Sequence, residues 1–250
     1  MNIGLYQSAS SMSALERWQD TVAQNITSAQ TAGYRKRTVQ FSSEVAGKWN
    51  LNPYAKASGP ENEQVALFTR VNGGINFLTG ETQPTRRELD VAIQGEGFFE
   101  LKGPDDQTFY TRNGEFRVTP ERKLVGAGGL EVLTTGGDAI TLLPGGGPVT
   151  INQDGSVFQG SVSLGKLAVT RFENNNLLTP TAGGMFLAAP NLKKETVDEP
   201  ELMQGYLEQS NVQPLREMVD LVLISRAYEA NQKIITTADQ QMEKTLQALG

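Results

Sequence analysis

The chain has 250 residues, a formal net charge of -6, and neither cysteine nor histidine, which excludes thiol nucleophiles, disulfides, Cys/His zinc sites and triads built on imidazole. Its longest basic block is Arg35-Lys36-Arg37, with only pairs such as Arg86-Arg87 elsewhere, too little for a phosphate-backbone binder, so no nucleic-acid partner is expected. Without an apolar run of roughly 18 residues or the regions of a secretory signal peptide, neither membrane insertion nor export by a cleaved signal is expected.

The first element is a helix. From Gly4 to Ile26 the apolar residues Leu5, Met12, Leu15, Val22 and Ile26 fall mostly on one face, with Ala9 and Ala29 as small fillers and Gln19 interrupting it. Periodicity is lost over 25–34, and Gly33 stands where a helix would close on a left-handed residue. Residues 35–70 are polar, with Asn50, Asn52, Pro53, Ser58, Gly59 and Pro60 clustered and only Phe41, Val45 and Trp49 available for burial. They read as an extended connector, with a plain flexible linker as the alternative.

From Val71 the chain turns to short β runs punctuated by glycine, and most of its 26 glycines lie between Gly95 and Gly184. Leu89, Val91 and Ile93 alternate with Asp90, Ala92 and Gln94, predicting a half-buried strand that resumes at Phe98 after the Gly95-Glu96-Gly97 bend. Asn113-Gly114, between Phe109-Tyr110-Thr111 and Phe116-Arg117-Val118, predicts a two-residue hairpin. Further strands are expected at 130–133, 139–142, 149–151, 157–158 and 164–172. Helical ends and a β middle do not alternate as βαβ, which disfavours Rossmann and barrel enzymes.

Paired carboxylates can cleave glycosidic bonds without histidine, and Asp90, Glu96, Glu100, Asp105, Asp106 and Asp154 are the candidates. Asp105-Asp106 and Asp154-Gly155 have turn composition, however. The runs Gly95-Glu96-Gly97 and Gly126 to Gly129 precede strands and do not continue as a phosphate-binding G-x-G-x-x-G. No catalytic, metal or cofactor-binding residue is assigned.

The last element, from Gly205 to Leu249, is a long helix. Asn211 can cap it, Pro214 suits its first turn, and no Gly or Pro follows before Gly250. Leu221, Tyr228, Ile235, Met242 and Leu249 recur every seven residues, interleaved with Ile224, Asn231, Ala238 and Thr245, as in a coiled-coil seam. Met218, Val222, Ile234 and Leu246 widen the stripe, so more than one neighbour is expected. The bland alternative is a helix lying on its own domain's core.

Three blocks, in order, carry a resemblance. Asn25 to Ala29 with Thr31-Ala32-Gly33-Tyr34-Arg35 resembles the N-terminal signature of bacterial flagellar axial proteins, the rod and hook group. Residues 89–99 with Tyr110 to Phe116 resemble the β core shared by the rod proteins. Residues 205–212 and Arg226 to Lys233 resemble their C-terminal signature, while Gln24 and Ser28 replace asparagines usual in the N-terminal one. The middle blocks suit the proximal-rod member; Arg226-Ala227-Tyr228-Glu229 also suits the distal one.

The resemblance implies a structural subunit of the rod, the drive shaft crossing the periplasm, and no enzymatic activity. It further implies partners among other copies and other rod or hook axial proteins, and passage through the flagellar type III export apparatus without a cleaved signal. The expected fold is mainly β with long terminal α-helices. An N-terminal assembly helix (1–34) and a C-terminal assembly helix (204–250) would form a coiled-coil-like assembly domain around an inserted all-β domain (71–203). The expected interface is Leu5, Met12, Leu15, Val22, Ile26, Leu221, Ile224, Tyr228, Ile235, Met242 and Leu249. An adhesin-like or glycan-binding β module on a coiled-coil stalk is the other class of reading, and it predicts small closed oligomers.

Overall fold

A computed structural model describes residues 3–50 and 63–249, with the side chains of 3–5, 46–50, 63–68, 105 and 249 outside the description. The fold is mainly β, with one helix near each end of the chain. The described residues fall into two compact units: 3–26, 37–50, 63–74 and 214–249 form the first, and 27–36 and 75–213 the second.

The first unit contains α1 (Ile3–Thr27), α2 (Pro214–Leu249) and two long strands, β1 (Arg37–Asn50) and β2 (Glu63–Ile75), which pair as a two-stranded sheet. These strands occupy much of the stretch expected to be an extended connector; Asn52 to Pro60 and the Trp49 side chain lie outside the described residues. Trp18 of α1 packs edge-on against Phe41 of β1 at 5.5 Å between centroids, and Ser10 donates to the Thr69 carbonyl of β2 at 3.1 Å. The helix thus gives the strand pair an apolar anchor and a polar one.

The last helix does not begin at Gly205 as expected: Tyr206–Glu208 pair as a strand with Thr82–Pro84, and Pro214 opens α2, its missing N–H falling where a helix has no acceptor to offer. Asn211 does not cap it. Its Oδ1 accepts from Lys36 N–H at 2.7 Å, and its Nδ2 donates to the carbonyls of Asn76 and Leu78, both at 2.8 Å.

The second unit holds β3 (Thr82–Pro84), β4 (Val91–Gln94), β5 (Phe98–Lys102), β6 (Thr108–Thr111), β7 (Arg117–Val118), β8 (Leu124–Val125) and β9 (Glu131–Val132). It continues with β10 (Val149–Ile151), β11 (Ser156–Gln159), β12 (Val162–Lys166), β13 (Val169–Phe172), β14 (Thr179–Pro180), β15 (Met185–Leu187), β16 (Lys194–Thr196), β17 (Glu201–Gln204) and β18 (Tyr206–Glu208). The main sheet runs β14-β15-β6-β5-β9-β8-β7, with β13 also on β5 and β16 on β13. Beside it lie β10-β11-β12 and the pairs β17-β4 and β18-β3. Phe99, Leu101, Phe116, Leu124, Ile140, Val157 and Leu167 fill one core, while Phe98, Tyr110, Phe172, Leu178 and Phe186 form a second, aromatic one.

Three local expectations are corrected. The strand around Val91 is buried on both faces, since Asp90 and Ala92 are as enclosed as Val91 and Ile93; Ala92 is small enough to be covered, and Asp90 is held by Arg87 at 2.7 Å. Asn113-Gly114 is not a two-residue hairpin, because β6 pairs with β5 and β15, and β7 with β8. Instead Asn113 Oδ1 accepts from Glu115 N–H, and Gly114 passes so close to β4 that a Cβ would sit 1.7 Å from the Val91 carbonyl oxygen. Gly33 is left-handed, at φ +66°, but α1 has already ended at Thr27. What Gly33 closes is the turn that brings its backbone against Arg112 and Asn113.

Candidate assembly site

The heptad positions of α2 from Leu221 to Ala238 are turned inward within this chain, and those beyond are not. Ile224 is fully buried, and Leu221, Tyr228, Asn231, Ile235 and Ala238 are half-buried. Met242 is exposed, and the Leu249 side chain lies outside the described residues. On α1, Val22 is buried and Met12, Leu15 and Ile26 are half-buried; the Leu5 side chain lies outside the described residues. The helices meet at Asn25 and Glu217, 3.0 Å apart, and again where Tyr228 Oη comes within 3.5 Å of Glu16. Those contacts make the pair antiparallel. Part of the seam read from the sequence is therefore filled by the chain's own first helix.

What stays open is the flank. Leu215, Met218, Val219, Val222 and Leu223 of α2 are each half or more exposed, at i, i+3, i+4, i+7 and i+8, and Ile234, Met242 and Leu246 extend the exposed set toward the C-terminus. A helix that buries one stripe and leaves a second apolar stripe in water carries the signature of a surface that another molecule covers. The sequence reading named Met218, Val222, Ile234 and Leu246 only as a widening of the seam. Leu215, Val219 and Leu223 carry their own signal in the sequence, a spacing of four that starts in the first turn of the helix.

Asn25 holds this arrangement together. Its amide donates to the Arg37 carbonyl and to Glu217, while its Oδ1 accepts from Arg37 N–H, at 2.9 to 3.0 Å, and the residue is buried. The side chain thereby fixes both the start of β1 and the first turn of α2, where a carboxylate also suits the helix dipole.

In the second unit, the segment that leads out of α1 is docked by charge. Arg35 and Arg112, both buried, share Glu208, at 2.5 and 3.4 Å. Burial pulls the Arg112 guanidinium down to about 10, Glu208 opposing and Arg35 adding to the shift. The carboxylates considered for hydrolysis are scattered. Asp106 pairs with Lys102, Glu100 accepts from Thr170, Asp154 closes a turn on Ser156, and Glu96 is exposed; the Asp105 side chain lies outside the described residues. No described helix is long and apolar enough to cross a membrane.

Comparison with known proteins decides the family. The family model described as "Flagellar hook protein FlgE/F/G D1 domain" matches residues 92–159, and "Flagellar basal body rod FlgEFG protein C-terminal" matches residues 203–248. The basal-body rod protein FlgF of Caulobacter vibrioides is 32% identical over 100% of this chain and 99% of its own length. The chain belongs to the flagellar basal-body rod protein family. FlgF of Rhizobium meliloti is 30% identical with the same coverage, and FlgG of Borreliella burgdorferi is 30% identical over 94% of each chain. A member of this family is a structural subunit of the basal-body rod. The matched C-terminal region contains β18 and nearly all of α2, so the exposed stripe lies within a segment the family shares.

Proposed function

We propose that this chain is a subunit of the proximal rod, polymerising helically with other copies and with neighbouring axial proteins through α1 and α2. The observation that carries the reading is the exposed apolar flank of α2, because burying it repeatedly between subunits would supply the cohesion that a torque-bearing shaft needs. In this reading α1 and α2 form the coiled-coil-like inner tube, the β domain forms its outer wall, and the work is mechanical, with no catalysis and no cofactor. Export proceeds through the flagellar type III apparatus without a cleaved signal. The blocks at 89–99 and 113–114 support the proximal over the distal member.

The absence of cysteine makes the test clean. Val222→Cys, placed on the open flank, is expected to react readily with maleimide in dilute protein and to be protected from it in purified basal bodies. A flank that stays fully accessible to maleimide in assembled rods sinks the reading, and small closed oligomers in sedimentation point to the adhesin-like class instead.

A further inference from the structure

A cavity of about 500 Å³ lies in the second unit, walled by Phe77, Leu78 and Phe98 with the amides of Asn76, Asn175 and Asn176, and with Arg35 and Arg112 among its lining residues. We propose that it is a binding site for a carboxylate attached to an apolar or aromatic body.

Charge is the first argument. Two buried guanidiniums share the single buried carboxylate of Glu208, whose Oε1 is further divided between Arg35 and the Gly80 N–H at 2.8 Å. Glu96 also lines the cavity, but it is exposed and water screens it. Positive charge therefore exceeds negative charge in the dry part of the site, a condition that an incoming anion relieves. A monoanion matches the excess of one charge better than a phosphate dianion does.

Hydrogen bonding is the second. Arg112 spends its Nη atoms on the carbonyls of Ile93 and Gly95 and lies over the Phe98 ring at 5.6 Å. The Nε–H groups of Arg112 and Arg35 are buried and find no acceptor among the described residues. Both residues line the cavity, and their unspent Nε–H donors lie just behind its wall, closed to solvent, so that a carboxylate entering the cavity engages them as the side chains shift toward it. Asn175 Oδ1 is likewise without a partner, and rotation of that amide presents its NH₂ as a further donor. The phenylalanine and leucine walls select the body attached to the carboxylate.

Such a carboxylate can come from a free small acid or from an acidic side chain of another subunit. Both are tested on the full-length protein by following the arginine Nε–Hε resonances in NMR during titration with 3-phenylpropanoate, its neutral amide, and acetyl-glutamyl-phenylalaninamide. The signals of Arg35 and Arg112 are expected to shift saturably, with 3-phenylpropanoate binding at least about tenfold more tightly than the amide. Tighter binding of the peptide assigns the source to a protein side chain, and tighter binding of the free acid assigns it to a small molecule. Shifts no larger than those from equal sodium chloride, or equal shifts with the neutral amide, overturn the proposal. Asn176→Asp supplies an independent check at an exposed position where folding is not at stake. It should raise the melting temperature and weaken 3-phenylpropanoate binding. A lowered melting temperature counts against the site.

Discussion

Asn25 and Glu217 stand 192 residues apart in sequence and 3.0 Å apart in the fold, both buried. The same asparagine brackets the backbone of Arg37 through its N–H and its carbonyl, so one side chain joins the end of α1, the start of β1 and the first turn of α2. Asn25→Ala removes these bonds and withdraws a donor from an enclosed carboxylate, which should cost the first unit about 2 to 4 kcal/mol. Asn25→Asp should be no better, since it keeps the shape but sets a second carboxylate against Glu217. Far-UV circular dichroism melts, which follow α1 and α2, check both variants. A wild-type melting curve for Asn25→Ala would show that the junction is held by other contacts.

Gly33 and Gly114, like Gly80, should be far less replaceable than a glycine in open space. Gly33 is left-handed, and a Cβ there would lie 2.3 Å from the Arg112 carbonyl carbon; at Gly114 a Cβ would lie 1.7 Å from the Val91 carbonyl oxygen. Neither obstacle is a flexible side chain, so Gly33→Ala and Gly114→Ala should each cost about 3 kcal/mol or more. Gly137 is a control. It is equally left-handed, at φ +85°, but has open space around it, so Gly137→Ala should cost only about 1 kcal/mol. Urea unfolding of the three variants, read by the Trp and Tyr signals, separates close approach from backbone strain.

The sequence exposes local periodicity and hides what meets it. The seven-residue recurrence from Leu221 to Leu249 was enough to predict α2, because helix geometry acts over a few residues, but its start was misplaced at Gly205, since β3 draws Tyr206–Glu208 into β18. That α1 fills part of the seam, so that Leu215, Val219 and Leu223 become the open flank, depends on a pairing across nearly the whole chain. Asn113-Gly114 misled for the same reason: its residue types suit a tight turn, yet the tertiary need was for a residue without a side chain beside Val91. Asn211 likewise has a capper's chemistry but spends it on Lys36, Asn76 and Leu78. Polar residues satisfy whichever backbone groups the fold brings near, and local sequence does not say which.

The β unit should lose a small, assignable part of its stability in acid. Hydrogen bonds from Arg117 and Arg87 hold the Glu115 carboxyl below the ordinary glutamate value of 4.5. The folded state therefore binds that proton less readily than the unfolded chain. The contribution is complete above about 4.5 and disappears as pH falls through the lower folded value. Because the arginines are half or more exposed, it should amount to only about 0.5 kcal/mol. Glu115→Gln should accordingly match wild type at low pH and fall slightly below it near neutrality. Denaturant melts across that range test the sign, and a deficit that persists unchanged in acid would rule out the ionic origin.

Val222 and Ile224 offer the sharpest separation of folding from assembly, since two residues of spacing turn one into water and the other into the interior. Ile224 is fully buried, so Ile224→Asp places a carboxylate without a partner in the first unit and should cost about 3 to 5 kcal/mol, with visible loss of helix. Val222 is about half exposed at 52%, and Val222→Asp should change the melting temperature little, within about 0.5 kcal/mol. If the flank is covered in the rod, the same aspartate becomes buried at every repeat of the lattice, where it should block assembly and leave cells non-motile. Ile235 lies between these extremes. It is half-buried on the inward seam, so Ile235→Asp is expected to weaken both folding and motility rather than motility alone. Calorimetry on the purified variants and swimming assays after complementation give the two readouts independently. Normal motility with Val222→Asp would remove the flank from the interface and leave α2 as a helix serving only its own unit.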